Sequence, residues 1–374
     1  MDYSKNVPVR NSSLDLLRII SMVMVIILHF FSHGGVLAAL TPHTSHWFIG
    51  HVINYVSFVA VNCFVLISGY FLLTSQFQLK KVLAFEAQLL FYAILCLLVG
   101  NMLAVIKFER IMLFRTLFPT TSRLYWFATN YMALYILAPF LNKFINSLDK
   151  AQMKACILSF VVLFSLLPSL NFTVDAWNVN RGYSFLWFVV LYFTGAYIRL
   201  HHQANHASAT RWKYELGYLC CVGLAILIKL YFPNISISWF GSDYTSSIIA
   251  YNGITMFFGT VFLFMFFYTI KIKNDKLSKI ISEISQLTFG IYLIHEFPYT
   301  RNFIWNTLFS PSTYANTVRG WILLIVYVAI IFLSGIAVEF IRKKAFGRIQ
   351  GKVIDLLYKL VKDKPLILTM EHIK

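Results

Sequence analysis

The sequence predicts an all-α polytopic membrane protein, a bundle of about ten transmembrane helices followed by a C-terminal amphipathic helix at the membrane surface. Of its 374 residues, 59% are hydrophobic and only 13% are charged, whereas a soluble domain usually carries about 25% charged residues. The apolar runs are long enough to cross a hydrocarbon core about 30 Å thick, and the alternating pattern of a membrane β-barrel is absent. Helices are therefore predicted, because lipid offers backbone groups no water to bond.

The apolar runs give the boundaries of the predicted spans to within a few residues. They lie near 14–33, 47–73, 82–106, 125–146, 153–171, 184–200, 214–233, 250–270, 287–309 and 317–341. We assign residues 1–341 to one membrane-embedded domain and residues 342–374 to a basic cytoplasmic tail. In the tail, apolar residues recur at helical spacing opposite basic residues, which predicts a helix lying on the inner leaflet.

The net charge is +17, from 32 basic and 15 acidic residues. The basic residues lie between the apolar runs, so we interpret the charge as topological and predict no nucleic-acid partner. Loops 34–46 and 234–249 contain no Lys or Arg, whereas 271–279 contains four. The positive-inside rule then places both termini in the cytoplasm, with the chain in the cell membrane.

One loop departs from this rule. Residues 107–124 are assigned to the outer side, yet they carry Lys107, Arg110, Arg115 and Arg123. The loop is either an ordinary connection overruled by its neighbours or an outward basic lip for an anionic acceptor, and the sequence leaves both open.

The five cysteines lie within apolar runs and show neither CxxC nor Cys/His ligand spacing. We therefore predict no disulfide framework and no metal site.

The first run carries three ionisable residues, Asp15, Arg18 and His29. Ionisable side chains at membrane depth are costly unless they are paired or wet, so they are candidates for function. Arg18 and His29 are close to three helical turns apart and project from one stripe, with Met22 and Val25 between them. At 1.5 Å per residue they are about 16 Å apart along the axis, with Arg18 nearer the cytoplasm.

Histidine suits proton transfer near neutral pH, and arginine is a permanent cation whose fork fits phosphate or carboxylate. The stripe predicts a general base at His29 and an anion anchor at Arg18, oriented by Asp15. The alternative is structural: Asp15 and Arg18 form an interfacial ion pair that orients the helix, while His29 hydrogen-bonds a neighbour.

Other candidates for substrate binding fall in three later runs. These are Ser68, Gly69 and Tyr70 in the second run, Trp126, Asn130 and Tyr131 in the fourth, and Tyr292, His295 and Glu296 in the ninth. Each group has a structural alternative: close helix packing for the small Ser-Gly pair, an interfacial aromatic belt, and a helix cap before Pro298.

Taken together and in order, five segments resemble the acyltransferase 3 family, integral membrane O-acyltransferases that modify cell-surface glycans. They are Asp15-Leu16-Leu17-Arg18 with His29 after ten residues, FVLISGYFL, YWFATNYMALYILAPFLN, GYSFLWFVVLYFTGAYIRL and LTFGIYLIHE. The resemblance spans residues from about 12 to 340. Its most specific element is the Arg, ten residues, His arrangement joined to the Ser-Gly-Tyr ending.

The resemblance implies ten core helices, acetyl-CoA as a donor substrate with no bound cofactor, and His29 with Arg18 as the catalytic pair. The chain departs from the family in two places. An Arg-x-x-Arg pair is replaced by Lys80 and Lys81, which could still contact CoA phosphates as point charges. A Glu pair after the Trp of the fourth run is replaced by Tyr131 and Met132.

The function expected is transfer of an acyl group, acetyl by resemblance, from acyl-CoA to a hydroxyl of a surface polysaccharide or its lipid-linked precursor. Arg115, Arg123, Trp126 and Tyr131 would form a lip for an anionic glycan arriving from outside, although modification on the cytoplasmic leaflet stays open. A glycan transporter or flippase is the alternative class, but the inverted repeats common in transporters are not seen. A polysaccharide polymerase would usually need a larger outer loop.

Overall fold

The computed structural model describes residues 11–106, 108–204 and 206–373. Lys107 of the predicted basic loop, and the residues at the two chain ends, lie outside these ranges. The described residues form helices and connecting turns, with no β-strand among them.

We number the longer helices in chain order. They are α1 Ser12–Ser32, α2 Ser45–Ser57, α3 Ala60–Leu72, α4 Leu79–Met102, α5 Arg110–Leu117, α6 Trp126–Ser147, α7 Lys150–Val161, α8 Phe185–His201, α9 Ser208–Phe240, α10 Ile254–Tyr268, α11 Asp275–Ser285, α12 Thr288–His295, α13 Pro298–Asn302, α14 Val318–Val361 and α15 Pro365–His372. Single helical turns at Val36–Ala39, Leu167–Leu170 and Thr245–Ile248 complete the α-helical segments.

Within the described ranges, six helical segments are long and apolar enough to cross a membrane. They are Ser12–Ser32, Ser45–Leu72, Leu79–Met102, Lys150–Leu170, Ala209–Phe240 and Val318–Val361. Two other apolar helices, α8 and α10, are shorter. The protein is thus an all-helical, multi-pass membrane protein, whereas the predicted count of about ten spans is not confirmed and stays a prediction.

The sequence directs where α1 begins. Asn11 caps the helix, its side chain accepting hydrogen bonds from the backbone N–H groups of Ser13 and Leu14. This satisfies donors that a helix start leaves unpaired. The helix then packs against α2, α3, α10, α11, α12 and α14, which makes it central to the bundle.

Close backbone contact joins α3 to α8. A Cβ at Gly69 would collide with the backbone of Tyr192, and one at Gly195 would collide with the backbone of Leu66. Only glycine allows helices to approach this closely at both points. The glycine of the Ser-Gly-Tyr segment therefore serves helix packing.

The run near 287–309, predicted as one span, is not a continuous helix. α12 ends at His295, α13 starts at Pro298, and a π-helical turn, Phe303–Leu308, follows. Proline lacks the N–H needed to continue a helix and disfavours the helical conformation at the residue before it, here Phe297 with ψ of 118°. The break places Glu296 between two short helices, of which α12 packs against α1.

The C-terminal tail, predicted as a separate amphipathic helix, instead continues α14 without a break to Val361. A helix of 44 residues is about 66 Å long, roughly twice the thickness of the hydrocarbon core of a bilayer. α15 then folds back on the start of α4, where Glu371 accepts hydrogen bonds from the Leu79 backbone N–H and the Tyr358 hydroxyl. An interfacial position for this segment stays a prediction.

Candidate active site

A cavity of about 640 Å³ runs along α1. Its wall on this helix is formed by one stripe that includes Arg18, Met22, Val25, His29 and His33. These positions recur every three or four residues, so they share a face, as the spacing predicts for the first four. The stripe covers about 22 Å of helix axis. We call its two limits the Arg18 end and the His33 end.

At the Arg18 end, the guanidinium is held by Asp15. Arg18 Nη1 donates to Asp15 Oδ1 over 2.8 Å, and the Asp15 side chain is only 4% exposed while that of Arg18 is 29% exposed. Asp15 lies behind the wall and Arg18 lines the cavity. Ser68, Ser285 and Gln286 line the cavity as well. The pairing orients a cation whose remaining N–H groups are available to an anion.

His29 lies at the centre of a polar cluster drawn from α1, α12 and α13. Its Nδ1 is 2.9 Å from His295 Nε2 and 3.3 Å from Glu296 Oε2. His33 Nε2 is also 3.3 Å from Glu296 Oε2. Arg301 Nη1 donates to the other carboxylate oxygen, Oε1, over 2.7 Å.

Each side chain of this cluster is positioned by its helix. His33 directly follows α1 and lies one turn beyond His29 on the same face, and their rings are 4.7 Å apart. His295 closes the last turn of α12, where its Nδ1 bonds the carbonyl oxygen of Ile291 over 2.6 Å. Glu296 follows as the first residue of the break before Pro298. The cluster therefore depends on the interruption of the ninth run.

Three of these side chains have the composition to hold a metal ion. The ligand atoms of His29, His33 and Glu296 lie within 4.8 Å of one another. Arg301 already neutralises Glu296 in a buried setting, so a divalent cation would leave two uncompensated positive charges there. The donor set of two histidines and a carboxylate fits zinc chemically, but the adjacent guanidinium opposes a cation.

Aromatic rings line much of the remaining wall. The ring centroids of Trp126 and Tyr183 are 4.5 Å apart, those of Tyr183 and Tyr251 are 5.0 Å apart, and Phe58 stacks on Tyr251 at 4.8 Å. All four residues line the cavity. Phe85, Phe127, Tyr131, Phe289 and Tyr292 line it too. Such faces suit the apolar sides of sugar rings or an acyl chain.

Several predicted binding residues lie away from the cavity. Gly69 packs against α8, as described above. The hydroxyl of Tyr70 accepts from Arg199 over 3.0 Å and lies 3.3 Å from that of Tyr268. Lys80 pairs with Asp355 over 2.6 Å. These residues therefore take part in helix packing, hydrogen bonds or ion pairs within the protein.

The other predicted binding residues outside the cavity are either exposed or hydrogen-bonded to a residue that lines it. Lys81 and Arg115 are exposed. Arg123 Nη2 and Asn130 Nδ2 both donate to the carbonyl oxygen of Tyr183, over 3.3 and 3.2 Å. Arg123 and Asn130 therefore help to position Tyr183, a residue of the aromatic wall.

Sequence reasoning missed His33, Arg301, Tyr183 and Tyr251 as site residues. Two local signals existed: His33 follows His29 by one helical turn, and Arg301 follows Glu296 by five residues across the proline break. No local pattern marks Tyr183 and Tyr251, which lie in the turns before α8 and α10 and meet Trp126 only in the folded protein.

Comparison with known proteins adds one finding to this geometry. A family model described as an acyltransferase domain, Acyl_transf_3, matches residues 11–341. No curated protein and no solved structure matches the chain.

Proposed function

The chain belongs to the acyltransferase 3 family, whose model covers residues 11–341, and we propose that it transfers acetyl from acetyl-CoA to a hydroxyl of a surface polysaccharide or its lipid-linked precursor. It is a membrane acyltransferase by this membership and by its apolar helices. The observation that supports the cavity as the reaction site is the position of His29. Its ring lines the cavity while Nδ1 is held by neighbouring side chains.

His29 acts in the proposal as a general base. Its Nε2 takes the proton of the acceptor hydroxyl as the hydroxyl oxygen attacks the thioester carbonyl carbon. The carbon–sulfur bond of the tetrahedral intermediate then breaks, and the imidazolium returns the proton to the departing sulfur. The products are the acetyl ester and free CoA thiol, so one side chain completes the transfer without a covalent enzyme intermediate.

Arg18 binds the donor in this proposal. Its guanidinium, oriented by Asp15 over 2.8 Å, pairs with a phosphate of the donor. Arg18 and His29 are about 16 Å apart along the helix axis, so an extended donor held by phosphate at the Arg18 end directs its thioester towards His29. Lys81, exposed and without an ion pair among the described residues, adds a point charge for the nucleotide.

The acceptor enters from the opposite side. We assign the Arg18 end to the cytoplasm, where acetyl-CoA is available, and the His33 end to the outside of the cell membrane, with both termini cytoplasmic. Trp126, Tyr183 and Tyr251 offer ring faces to a sugar, and exposed Arg115 and Arg123 attract an anionic glycan. The lipid bilayer and the glycan are the partners that this arrangement requires.

Purified protein in liposomes tests the reaction. With acetyl-labelled acetyl-CoA and de-O-acetylated surface polysaccharide, we expect label in the polysaccharide as an ester that hydroxylamine releases. His29→Ala should abolish most of this label. His46→Gln is the matched control, because His46 lies outside the cavity against Trp321. Movement of polysaccharide across the bilayer without labelling would instead identify a transporter.

A further inference from the structure

We propose that His295 and Glu296 are positioning residues that prepare His29 for proton transfer, His295 by fixing its tautomer and Glu296 by balancing its charge. The proposal rests on the proposed function of His29 as a base. It assigns a role to a contact between residues 266 positions apart in the chain, the pairing of His29 Nδ1 with His295 Nε2 over 2.9 Å. Neither residue touches the reacting atoms in this account.

The location of the protons follows from the hydrogen bonds. A carbonyl oxygen only accepts, so His295 Nδ1, which is 2.6 Å from Ile291 O, carries a hydrogen. In a neutral imidazole the other nitrogen is then an acceptor, so His295 Nε2 accepts in its 2.9 Å contact with His29 Nδ1. The donor is His29 Nδ1. The remaining nitrogen of His29, Nε2, is therefore left with a free lone pair on the cavity side.

This chain of contacts makes His29 a base in its resting state. An imidazole with the hydrogen on Nε2 would present a donor to the acceptor hydroxyl and could not take its proton. The other ring nitrogen thus determines the chemistry at the cavity, as for histidines whose second nitrogen is held by a carbonyl or carboxylate. The chain of hydrogen bonds ends at the Ile291 carbonyl oxygen, which belongs to the backbone of α12.

Glu296 supplies the charge that the protonated ring needs. Its side chain is 7% exposed, and its Oε2 is buried and has no hydrogen-bond partner within the described part of the chain. That oxygen is 3.3 Å from both His29 Nδ1 and His33 Nε2. A buried carboxylate with an unsatisfied oxygen is costly, and a cation forming on His29 relieves that cost. The low dielectric constant of this buried site also strengthens the attraction between the Glu296 carboxylate and a positively charged His29 ring.

Arg301 and His33 hold the carboxylate in place. Arg301 binds Oε1, which orients the carboxylate, and His33, just after the end of α1, approaches Oε2. With His295 and Glu296, these are the ionisable groups that face His29 from α1, α12 and α13. When His29 takes a proton from the acceptor hydroxyl, the new positive charge forms beside Oε2. It disappears when the proton passes to the CoA sulfur.

The first test is spectroscopic and needs no activity. Protein labelled with ¹⁵N-histidine is reconstituted in liposomes, and the His29 signals are identified by their loss in His29→Gln. We expect a neutral His29 ring with the hydrogen on Nδ1 in the wild type. In His295→Leu the hydrogen should shift in part to Nε2. A wild-type ring carrying its hydrogen on Nε2 would overturn the proposal.

The second test separates positioning from structure by kinetics. His295→Leu and Glu296→Gln should lower kcat by about 10²-fold with little change in either KM, below the largest losses seen when a base is removed. His295→Gln, which can still accept from His29 Nδ1, should retain most of the kcat. Equal losses in the Leu and Gln variants would contradict a role in fixing the tautomer.

Metal binding is the competing explanation of the cluster. After dialysis against zinc, elemental analysis of the wild type should show no stoichiometric zinc. His33→Gln should give the same result. One equivalent retained by the wild type and lost in that variant would overturn the proposal. If the wild type transfers no acetyl at all, the proposed function fails, while the ¹⁵N spectra and the metal analysis still decide the arrangement of the cluster.

Discussion

Two glutamate–arginine clusters lie in the helix bundle and differ in how fully their polar atoms are satisfied. Glu339 of α14 is 0% exposed, and both its oxygens accept hydrogen bonds, from Arg342, Tyr92 and Gln88. Glu296 has one oxygen bonded to Arg301 and one without a hydrogen-bond partner among the described residues. The first cluster is enclosed by protein, whereas the second lines the cavity beside His29.

The difference indicates which cluster is structural and which is functional. A buried ion pair whose lone pairs are all used has nothing left to offer a ligand, and it holds α4 and α14 together. A pair that keeps an unsatisfied oxygen beside a cavity retains a cost that a reaction intermediate can remove. The clusters are also connected, because Gly290 of α12 packs directly on Glu339. The enclosed pair thus supports the helix that carries His295.

The largest expected effect is on the reaction. His29→Ala should lower kcat by about 10² to 10⁴-fold, the usual range for loss of a general base. Its thermal unfolding midpoint should stay close to that of the wild type, because the side chain lines a cavity. Acetyl transfer and unfolding are measured on the same reconstituted preparation. A wild-type rate in a folded His29→Ala protein would refute the role of the cavity cluster.

Substitutions in the enclosed Glu339–Arg342 cluster should change the stability of the protein. Glu339→Leu leaves Arg342 buried without its partner and should reduce the free energy of unfolding by about 3–5 kcal/mol. Adding Arg342→Met to Glu339→Leu should recover most of the loss, since a buried pair can often be replaced by apolar residues. Unfolding by SDS titration measures both. A stable Glu339→Leu protein with a lower kcat would reverse our assignment of the two clusters.

A smaller effect is expected at the Arg18 end. Arg18→Lys keeps the charge but not the two-pronged fork, so we expect about a tenfold rise in the KM for acetyl-CoA, with Arg18→Ala more severe. The KM for the acceptor should not change. Lys80→Ala is the matched control, since Lys80 pairs with Asp355 outside the cavity. Full activity of Arg18→Ala would make the Asp15–Arg18 pair structural, like that of Glu339 and Arg342.

The smallest effect is expected at the exposed rim. Arg123→Glu should raise the acceptor KM by about fivefold or less, because exposed charges contribute about 1 kcal/mol at most. The donor KM should stay constant, as when only acceptor binding is weakened. Kinetics at low and high salt measure this, and the difference should shrink as salt screens the charge. A change in donor KM instead would place the rim on the donor route.

The sequence could predict the parts of this site that lie on one helix. Arg18 and His29 share a face because helical periodicity is local, and their stripe lines the cavity. It could not predict that Glu296 would meet His29 and His33, because that contact joins the first helix to a break near residue 297. Gly69 shows the same limit. A small residue fits a ligand or a neighbouring helix equally well until the packing against Tyr192 is seen.

The length of α14 is another feature that the sequence pattern did not predict. An apolar run followed by an amphipathic one predicts two elements, yet nothing in the intervening Arg342-Lys343-Lys344 segment breaks a helix, and the chain continues helical to Val361. Lys and Arg have good helix propensity, so a run of them does not end a helix. Charge patterning therefore predicts a change of environment at this point, but it could not predict the boundary of the helix.

The most direct test of the account is directional transfer across the membrane. Liposomes with the protein in one known orientation receive labelled acetyl-CoA outside and de-O-acetylated polysaccharide inside. We expect label on the enclosed polysaccharide when the Arg18 end faces outward, none in the opposite orientation, and little with His29→Ala in either. Label found only on acceptor supplied on the same side as the donor would contradict a cavity that passes acetyl from the Arg18 end to the His33 end.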